Sequence, residues 1–541
     1  MKEIKEKIKK IIKEAIENSE WKEKLKDIKI EVFPAKEEKF GDFSTNIAFK
    51  LTEKGKNPSE TAEKLKEKIS SSTDLFKNIE VKNGFINFFI NDDFYRNFLK
   101  KLIEGKEDLS LNTGEGKKIL LEFVSANPTG PLTIAHGRQA AYGEALARIL
   151  KFAGYRVIKE YYINDGGRQM KLLGESLKAR YYQMKGKDYP VPEEGYFGEY
   201  LIELAKKIKE ESENDKFFTE FAYKNLLEEI KKDLSDFGVS FDRWVRESDF
   251  VKKGEVEKVI EILKEKGYLY FKDGSWWFKS TEFGDDKDRV VIKSDGSYTY
   301  LATDIAYHKN KIDRGYDILI NIVGPDHHGY IPRIKAAVQS LGFNPENLKF
   351  IIVQLTTLYR GKEKLSMSTR KGQFISLRQL MDEVGPDEAK FFFIFRKAES
   401  HLDFDLELAK KKSPENPVYY LQYAYVRMKH VINFAETKGF DLNKLHLVDF
   451  SKLKEEEEIA IMKKITNLKD VIEIASKTFG VHLLSDFLLD ISKIFHSYYQ
   501  SNRIVGEDRD LSYCRIALIK GLFIVFEKVL SLLNISLPER M

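Results

Sequence analysis

Two short stretches of this chain concentrate side chains that can bind and polarise phosphate. The first reads Ser125-Ala126-Asn127-Pro128-Thr129-Gly130-Pro131-Leu132-Thr133-Ile134-Ala135-His136-Gly137-Arg138. It leaves a strongly apolar run and enters a helical one. Free backbone N–H groups and the positive end of a helix dipole therefore meet in one loop. Ala135 and Gly137 are small enough to let a ligand approach the backbone, and His136 can donate to an oxyanion. The alternative is an ordinary helix start capped by a histidine. The second stretch reads Lys362-Glu363-Lys364-Leu365-Ser366-Met367-Ser368-Thr369-Arg370-Lys371-Gly372. Cations and hydroxyls this dense can clamp a triphosphate and neutralise charge on a departing pyrophosphate; the alternative is a solvated surface turn. Gly114-Glu115-Gly116-Lys117-Lys118 lacks the spacing and the Ser/Thr of a phosphate-cradling glycine loop, so a nucleotide must be held another way.

The elements around these stretches are legible from hydrophobic periodicity. A buried-strand run at 119–124 precedes the first loop. A helix at 136–152 follows, its apolar face Ala141, Ala145, Leu146, Ile149 and Leu150, with Gly154 as its terminal cap. The next strand spans 156–163, so strand, loop, helix and strand make a parallel βαβ unit. A charged helical insertion is expected at about 172–267, then strands at 275–279, 290–293 and 298–302. Strands at 318–323 and 350–354 bracket a helix at 334–341, and a helix at 377–383 follows the second loop. Beyond 406 the pattern is helical, from 419–437 to 516–533. Residues 1–110 form a separate unit with helices at 2–17 and 57–69 and strands at 28–33 and 84–90; a polar linker joins it to the rest.

Composition sets the outer limits. A chain of 541 residues suggests three or four domains, and 42% hydrophobic residues exclude wholesale disorder. No apolar run is long enough for a membrane span, and the N-terminus, mixing Lys with Glu, is not a leader peptide. One cysteine, Cys514, excludes intrachain disulfides and cysteine-clustered metal sites and fits a reducing compartment. The net charge of +5 is low for a nucleic-acid binder. Neither end is a basic arm, with 24 basic against 22 acidic residues over 1–110 and 20 against 18 over 406–541. A polyanionic partner would therefore need cations clustered on particular faces rather than spread over the chain.

Together the two stretches resemble the signatures of the class I aminoacyl-tRNA synthetases, and specifically the arginyl-tRNA synthetase family. The first resembles the HIGH-type signature ending at His136, with Thr133 in place of its first histidine and Ala135 in place of its usual glycine. The second resembles the KMSKS-type signature centred on Met367-Ser368-Thr369-Arg370, with Thr369 where a lysine usually precedes the arginine. Family members lacking that lysine often carry one just before the first signature, where this chain has Gly130; Lys364 or Lys371 can supply the charge instead. The likeness continues in order through Gly41-Asp42-Phe43-Ser44-Thr45-Asn46, Tyr161-Tyr162-Ile163-Asn164-Asp165, Asp304-Ile305-Ala306-Tyr307-His308, Gly324-Pro325-Asp326-His327-His328-Gly329-Tyr330 and Tyr420-Leu421-Gln422-Tyr423.

The resemblance implies an α/β fold. A Rossmann-like parallel-sheet catalytic domain would cover 113–405 with the helical insertion at about 172–267. An α+β N-terminal domain at 1–112 would face the tRNA D-loop, and an all-α anticodon-binding domain would cover 406–541. It implies ATP-dependent charging of tRNA(Arg) with L-arginine by a cytoplasmic monomer, with Mg2+ brought by ATP and no structural metal. Thr133, His136, Ser368, Thr369, Arg370 and Lys371 would be catalytic. ATP would meet Pro128, Gly130, Ala135, Gly137, Gly324, Asp326, His327, His328, Lys364, Ser366 and Met367. Arginine would meet Glu122, Ser125, Asn127, Tyr300, Asp304 and His308, and the tRNA Phe85, Asn87, Phe89, Tyr420, Tyr423, Arg427, Tyr498, Asn502 and Arg503, beside Tyr499.

A site for arginine must satisfy a planar cation that keeps its proton, which calls for forked carboxylate acceptors. Asp304 would supply them, with Tyr300 four residues earlier around a strand end; the alternative for Asp304 is a helix cap. Lysine cannot satisfy such a fork, and the unpaired acceptor would cost about 1–3 kcal/mol. The rival readings are a synthetase for another amino acid, a smaller nucleotidyl transferase, which the chain length opposes, and an impaired RNA-binding paralogue, which Thr133 and Thr369 suggest.

Overall fold

The computed structural model describes residues 2–35, 37–365 and 374–539. Its central element is a five-stranded sheet, all parallel, in the order Leu348–Ile352, Ile318–Val323, Lys118–Glu122, Arg156–Ile163, Arg243–Arg246. Ile119, Leu120 and Leu121 are all buried, as in a strand covered on both faces. The chain leaves Lys118–Glu122 toward one edge and later fills the other. The gap between Lys118–Glu122 and Ile318–Val323 is thus the switch point, where open α/β sheets bind ligands beyond their carboxyl ends. The crossover helix Ile134–Phe152 packs so tightly on the first strand's exit that a Cβ at Gly143 would lie 2.3 Å from the Phe123 ring.

Three elements differ from the sequence expectation, two in this region and one in the N-terminal unit. The stretch expected as a helical insertion contains helices Gly167–Met184, Tyr200–Lys206 and Asp215–Asp236, but it also delivers the edge strand Arg243–Arg246. That strand is four residues long and flanked by charge, so it offers almost no periodicity. Residues 298–302 are not a strand. Thr299 immediately precedes the helix Tyr300–Asp313, its hydroxyl donating to the Val290 carbonyl at 2.9 Å, and only Tyr298 bridges to Ile292. A three-stranded antiparallel sheet, Leu269–Lys272, Ser275–Phe278 and Arg289–Ile292, precedes that helix. In the N-terminal unit the expected strand at 28–33 shrinks to Phe33–Pro34, the edge of an antiparallel sheet with Phe43–Thr45, Phe85–Ile90 and Phe76–Lys82.

The C-terminal part is a bundle of Pro417–Thr437, Glu456–Thr478, His482–Ser501 and Arg509–Leu532. The first part of the chain docks on this last part. Arg96 of the helix Asp92–Ile103 donates to the Leu453 carbonyl at 2.9 Å, and Lys463 pairs with Asp42 at 2.6 Å. Gly521 lets the helix Arg509–Leu532 approach, since a Cβ there would lie 2.3 Å from Leu99 Cδ1. Among the described residues no helix is long and apolar enough to cross a membrane. Gly521→Ala is expected to destabilise the protein by about 1–3 kcal/mol through overpacking. Calorimetric melting checks this, and the double variant with Leu99→Ala should lose less than the sum of the two single losses.

Candidate active site

The loop that leaves Lys118–Glu122 is strained and held from four sides. Val124 and Ser125 take φ of +67° and +40°, a left-handed region that a β-branched residue rarely adopts. Ser125 Oγ donates to Glu122 Oε1 at 3.1 Å and accepts from the Tyr162 amide at 3.1 Å. Tyr161 donates to the Ala126 carbonyl at 2.8 Å, Asn127 Nδ2 to Gln169 at 2.8 Å, and Tyr200 to the Thr129 carbonyl at 2.6 Å. Strain held by so many neighbours is typical of functional loops. Tyr200, from the insertion, stands over Gly130: a Cβ there would come within 3.3 Å of its ring and hydroxyl.

The loop ends at Thr133, which caps the helix Ile134–Phe152. The Thr133 amide donates to His136 Nδ1 at 3.1 Å. Burial pushes the imidazole down to about 4, so at neutral pH it is uncharged. With Nδ1 accepting the amide, the ring proton sits on Nε2 and makes His136 a neutral donor. The small residues behave differently from one another. Ala135 is exposed, whereas Gly137 is buried and a Cβ there would lie 2.7 Å from Leu377 and 3.1 Å from Phe393. Gly137 therefore serves helix packing, which corrects its assignment to nucleotide contact. The next residue, Arg138, was not singled out by its sequence context. Its buried guanidinium donates to the carbonyls of Gln354 (2.7 Å), Ser400 (3.0 Å), Lys397 (3.1 Å), Phe393 (3.4 Å) and Leu355 (3.5 Å). It ties the signature helix to the segments leading into Thr356–Arg360 and Leu402–Asp405, the parallel pair of the small sheet that also holds Glu363–Lys364.

Across the cleft, the helix Tyr300–Asp313 presents one descending stripe. Tyr300 is 71% exposed at the rim, Asp304 is half-buried, and His308 and Lys311 are buried. The spacing of four, four and three keeps them on one helical face. His308 Nδ1 donates to the Asp304 carbonyl at 2.8 Å, and its Nε2 accepts from Asn321 Nδ2 at 3.3 Å. Asn321 Oδ1 accepts from Lys311 at 3.1 Å, and Lys311 forms a close ion pair with Glu122. Burial pushes His308 down to about 3, so it is a neutral relay beneath the cleft. Its place behind Asp304 corrects the expectation of direct ligand contact. A second buried set adjoins the first: Glu160 is paired with Arg314, and Tyr307 donates to Glu160 at 2.8 Å and to Glu122 at 3.2 Å.

Asp304 is the perturbed carboxyl of this group. Burial raises it to about 7, and Glu247 and Glu122 add repulsion; the Tyr330 hydroxyl, which donates to Oδ2, opposes the rise, as does Lys311. Glu247 follows the missed edge strand and is bonded to the Tyr162 hydroxyl; burial first, then Asp165, pushes it up as well. Tyr162 and Tyr330, which belong to the ordered motifs but had no role assigned, and Glu247 and Lys311, which lie outside them, adjoin this cleft. Nothing in the local pattern of Glu247 or Lys311 distinguishes them from core and surface residues.

At the end of Ile318–Val323, Gly324 leads into a turn that exposes Asp326, His327 and His328. A Cβ at Gly324 would lie 2.5 Å from Asp326 Oδ1. Among the described residues no three His, Cys, Asp or Glu side chains converge as a metal site. Lys364 is exposed, while Ser366, Met367, Ser368, Thr369, Arg370 and Lys371 lie outside the described residues. Pro128 is buried within the loop.

The expected RNA contacts divide in two. Phe85 is exposed and edge-packed on Phe49 and Phe33, and Phe89 is half-buried. Asn87, between them, is buried and accepts from Ser44, which corrects its expected role. Tyr498 is fully buried and donates to Glu458 at 2.9 Å beside Arg515, so it belongs to the core. Its neighbour Tyr499 is exposed. Arg427 lies between the rings of Tyr423 and Tyr499, 4.4 and 4.5 Å from their centroids. Tyr420 packs on His496 at 4.5 Å, and Arg503 caps its own turn through the Val505 carbonyl. Asn502 accepts from Arg515 at 3.1 Å.

Comparison with known proteins agrees with this geometry in all three parts. Residues 98–391 match the family of tRNA synthetases class I (R), catalytic domain; residues 421–541 match the DALR anticodon binding domain, and residues 2–90 the arginyl tRNA synthetase N terminal domain. An arginine–tRNA ligase of Syntrophotalea carbinolica is 43% identical over 96% of this chain and 95% of its own. One of Caldanaerobacter subterraneus is 42% identical over 99% of both chains. The solved arginyl-tRNA synthetase of Thermus thermophilus, at 18% identity, shares the fold with a TM-score of 0.76 over 99% of this chain and 100% of its own.

The buried network makes a stability prediction of its own. Lys311→Met leaves the Glu122 carboxylate without its cation and is expected to cost about 3–5 kcal/mol. Lys309→Met, which breaks the surface pair with Asp313 one turn away, should cost less than about 1 kcal/mol. Denaturant unfolding of the two variants checks the contrast.

Proposed function

The chain belongs to the arginyl-tRNA synthetases, and from that premise we propose how its own residues carry out the reaction. The enzyme is an arginine–tRNA ligase of class I, which uses ATP to aminoacylate its tRNA. The arginine carboxylate attacks the α-phosphorus of ATP, the bond to pyrophosphate breaks, and arginyl-adenylate forms. A ribose hydroxyl at the 3′ end of the tRNA then attacks the arginyl carbonyl, and AMP leaves. Positioning and charge stabilisation supply most of the rate, with no dedicated protein base.

Asp304 carries this reading. A half-buried carboxyl raised to about 7 by burial, with Glu247 and Glu122 adding repulsion, is matched to a ligand that brings a permanent cation. The guanidinium pairs with Asp304, whose other hydrogen-bond partner is Tyr330. Tyr300 covers the guanidinium from the rim, and Asn127 and Glu122 hold the amino acid's polar end, with Ser125 fixing Glu122. ATP lies over the signature loop and the Gly324–His328 turn, with Asp326 accepting from ribose hydroxyls. Magnesium comes as the counter-ion of the ATP phosphates. His136 donates to the phosphate as a neutral imidazole and Thr133 through its hydroxyl.

The departing pyrophosphate is met by Ser368, Thr369, Arg370 and a lysine, and Ser366 and Met367 contact ATP. The 3.3 Å approach of Tyr200 to a Cβ at Gly130 argues against position 130 as the source of the extra charge, which favours Lys364 or Lys371. The tRNA is gripped by Phe85 and Phe89 at the N-terminal domain and by Tyr420, Tyr423, Arg427, Tyr499, Asn502 and Arg503 at the bundle. One chain carrying all of these parts fits a monomer, and the lone buried thiol of Cys514 fits the cytoplasm.

Asp304→Asn removes the charge but keeps the shape. It is expected to raise the arginine KM by roughly 30-fold or more, from a loss of about 2–5 kcal/mol for an unpaired buried charge. The ATP KM should stay within about threefold in steady-state aminoacylation. The pH dependence follows from the carboxyl near 7. Only its ionised form pairs with the guanidinium, so arginine KM should fall as pH rises from 6 to 8 and then level off. Tyr330→Phe deletes the donor that favours ionisation and should move that midpoint upward.

A further inference from the structure

The long helix of the bundle, Pro417–Thr437, carries more on its outer face than the tyrosine–arginine cluster. At about 100° per residue, Tyr420, Arg427, Phe434 and Lys438 fall on one stripe, with Tyr423 beside it. Phe434 lies two turns beyond Arg427, about 10 Å along the axis, and is 49% exposed. Here the stripe opens into a cavity of about 540 Å3, lined by Phe434, Lys438, Phe440, Arg503, Glu507 and Arg509.

Three cations and one carboxylate line this cavity. Among the described residues, Lys438, Arg503 and Arg509 make no ion pair. Arg509 is instead fixed as a flat donor. Its guanidinium stacks 4.5 Å from the Phe440 ring and 5.7 Å from Tyr513, and donates to the Gly439 carbonyl at 2.6 Å. The Lys438 ammonium sits 5.3 Å over Phe434, and Arg503 is only four residues past Tyr499. An aromatic face bordered by unpaired, preorganised cations is the composition that binds unpaired nucleotides, the base on the ring and the phosphate on the cations.

We propose that this cavity is a second nucleotide pocket, which takes an unpaired nucleotide of the same tRNA strand that lies on Tyr423 and Arg427. The base stacks on Phe434, and its phosphate meets Lys438, Arg503 and Arg509. The proposal rests on the reading that the bundle grips the tRNA, and adds a site separate from the tyrosine cluster. Continuity with that cluster along one helix face selects RNA over an acidic protein segment.

The test measures binding of deacylated tRNA(Arg) to the full-length protein across a salt series. Phe434→Ala and Lys438→Gln are each expected to weaken binding about tenfold or more, while Phe434→Trp keeps it. Lys438→Gln should also reduce the slope of log affinity against log salt by about 0.7–0.9, which a purely structural effect would not do. Arginine and ATP KM values at saturating tRNA should not change. Wild-type affinity within twofold and an unchanged salt slope in both variants would overturn the pocket. Tyr423→Ala then separates the two levels: if it alone weakens tRNA binding, the bundle's role stands without the pocket, and if it too has no effect, both fall.

Discussion

The organising constraint of this structure is the crowding of carboxylates beneath one cleft. Glu122, Glu160, Glu247 and Asp304 converge where the strands of the parallel sheet end. Like charges this close in a poorly hydrated site repel unless cations interleave them. Two are provided from below: Lys311 under Glu122 and Arg314 under Glu160. Neither pairs with Asp304, which is raised to about 7. In the proposed reading the balancing charge on that side is the guanidinium of the amino acid, so that substrate recognition is an electrostatic completion; the neutral His308 adds no charge of its own.

The fold holds this arrangement at a switch point. The strained pair Val124–Ser125 turns the chain sharply at the strand end and is kept there by Tyr161, Tyr162, Gln169 and Tyr200, which come from the second strand and the insertion. Arg138 performs the corresponding task on the far side. It replaces a counter-ion with five backbone carbonyls, coupling the signature helix to the sheet that carries the basic loop. The insertion therefore does more than separate two halves of the catalytic domain, because its Tyr200 rests on the loop beside Gly130.

Much of this was readable in advance because it follows from local chemistry. The βαβ unit and the loop after its first strand rest on period and turn residues, and the parallel sheet appears where they predict it; the second signature, at 366–371, lies outside the described residues. What was not readable depends on distant partners. The strand Arg243–Arg246 is too short and too charged to announce itself, so Glu247 went unseen. Tyr300 and Asp304 share a helix rather than a strand end because the chain turns at Thr299, whose hydroxyl donates to the Val290 carbonyl of the preceding strand, a contact its context does not reveal. Asn87 and Tyr498 have the composition of RNA readers, yet Ser44 and Glu458 claim them for the interior. Gly137 looked like room for a ligand and is room for Leu377.

The modest charge of +5 also takes on a physical meaning. Lys and Arg are nearly balanced by Asp and Glu over the whole chain, 91 against 86, so the cations that gather on the bundle do so without a strong overall charge, and binding need not be so strong as to prevent release. The central claim, that arginine supplies the missing cation to Asp304, is tested most directly by isothermal titration of arginine in buffers of differing ionisation enthalpy. With a carboxyl near 7, binding at pH 7 should release about half a proton, falling toward none at pH 8 and in Asp304→Asn. Arginine binding with no proton release at pH 7, or with the same release in Asp304→Asn, would contradict the account.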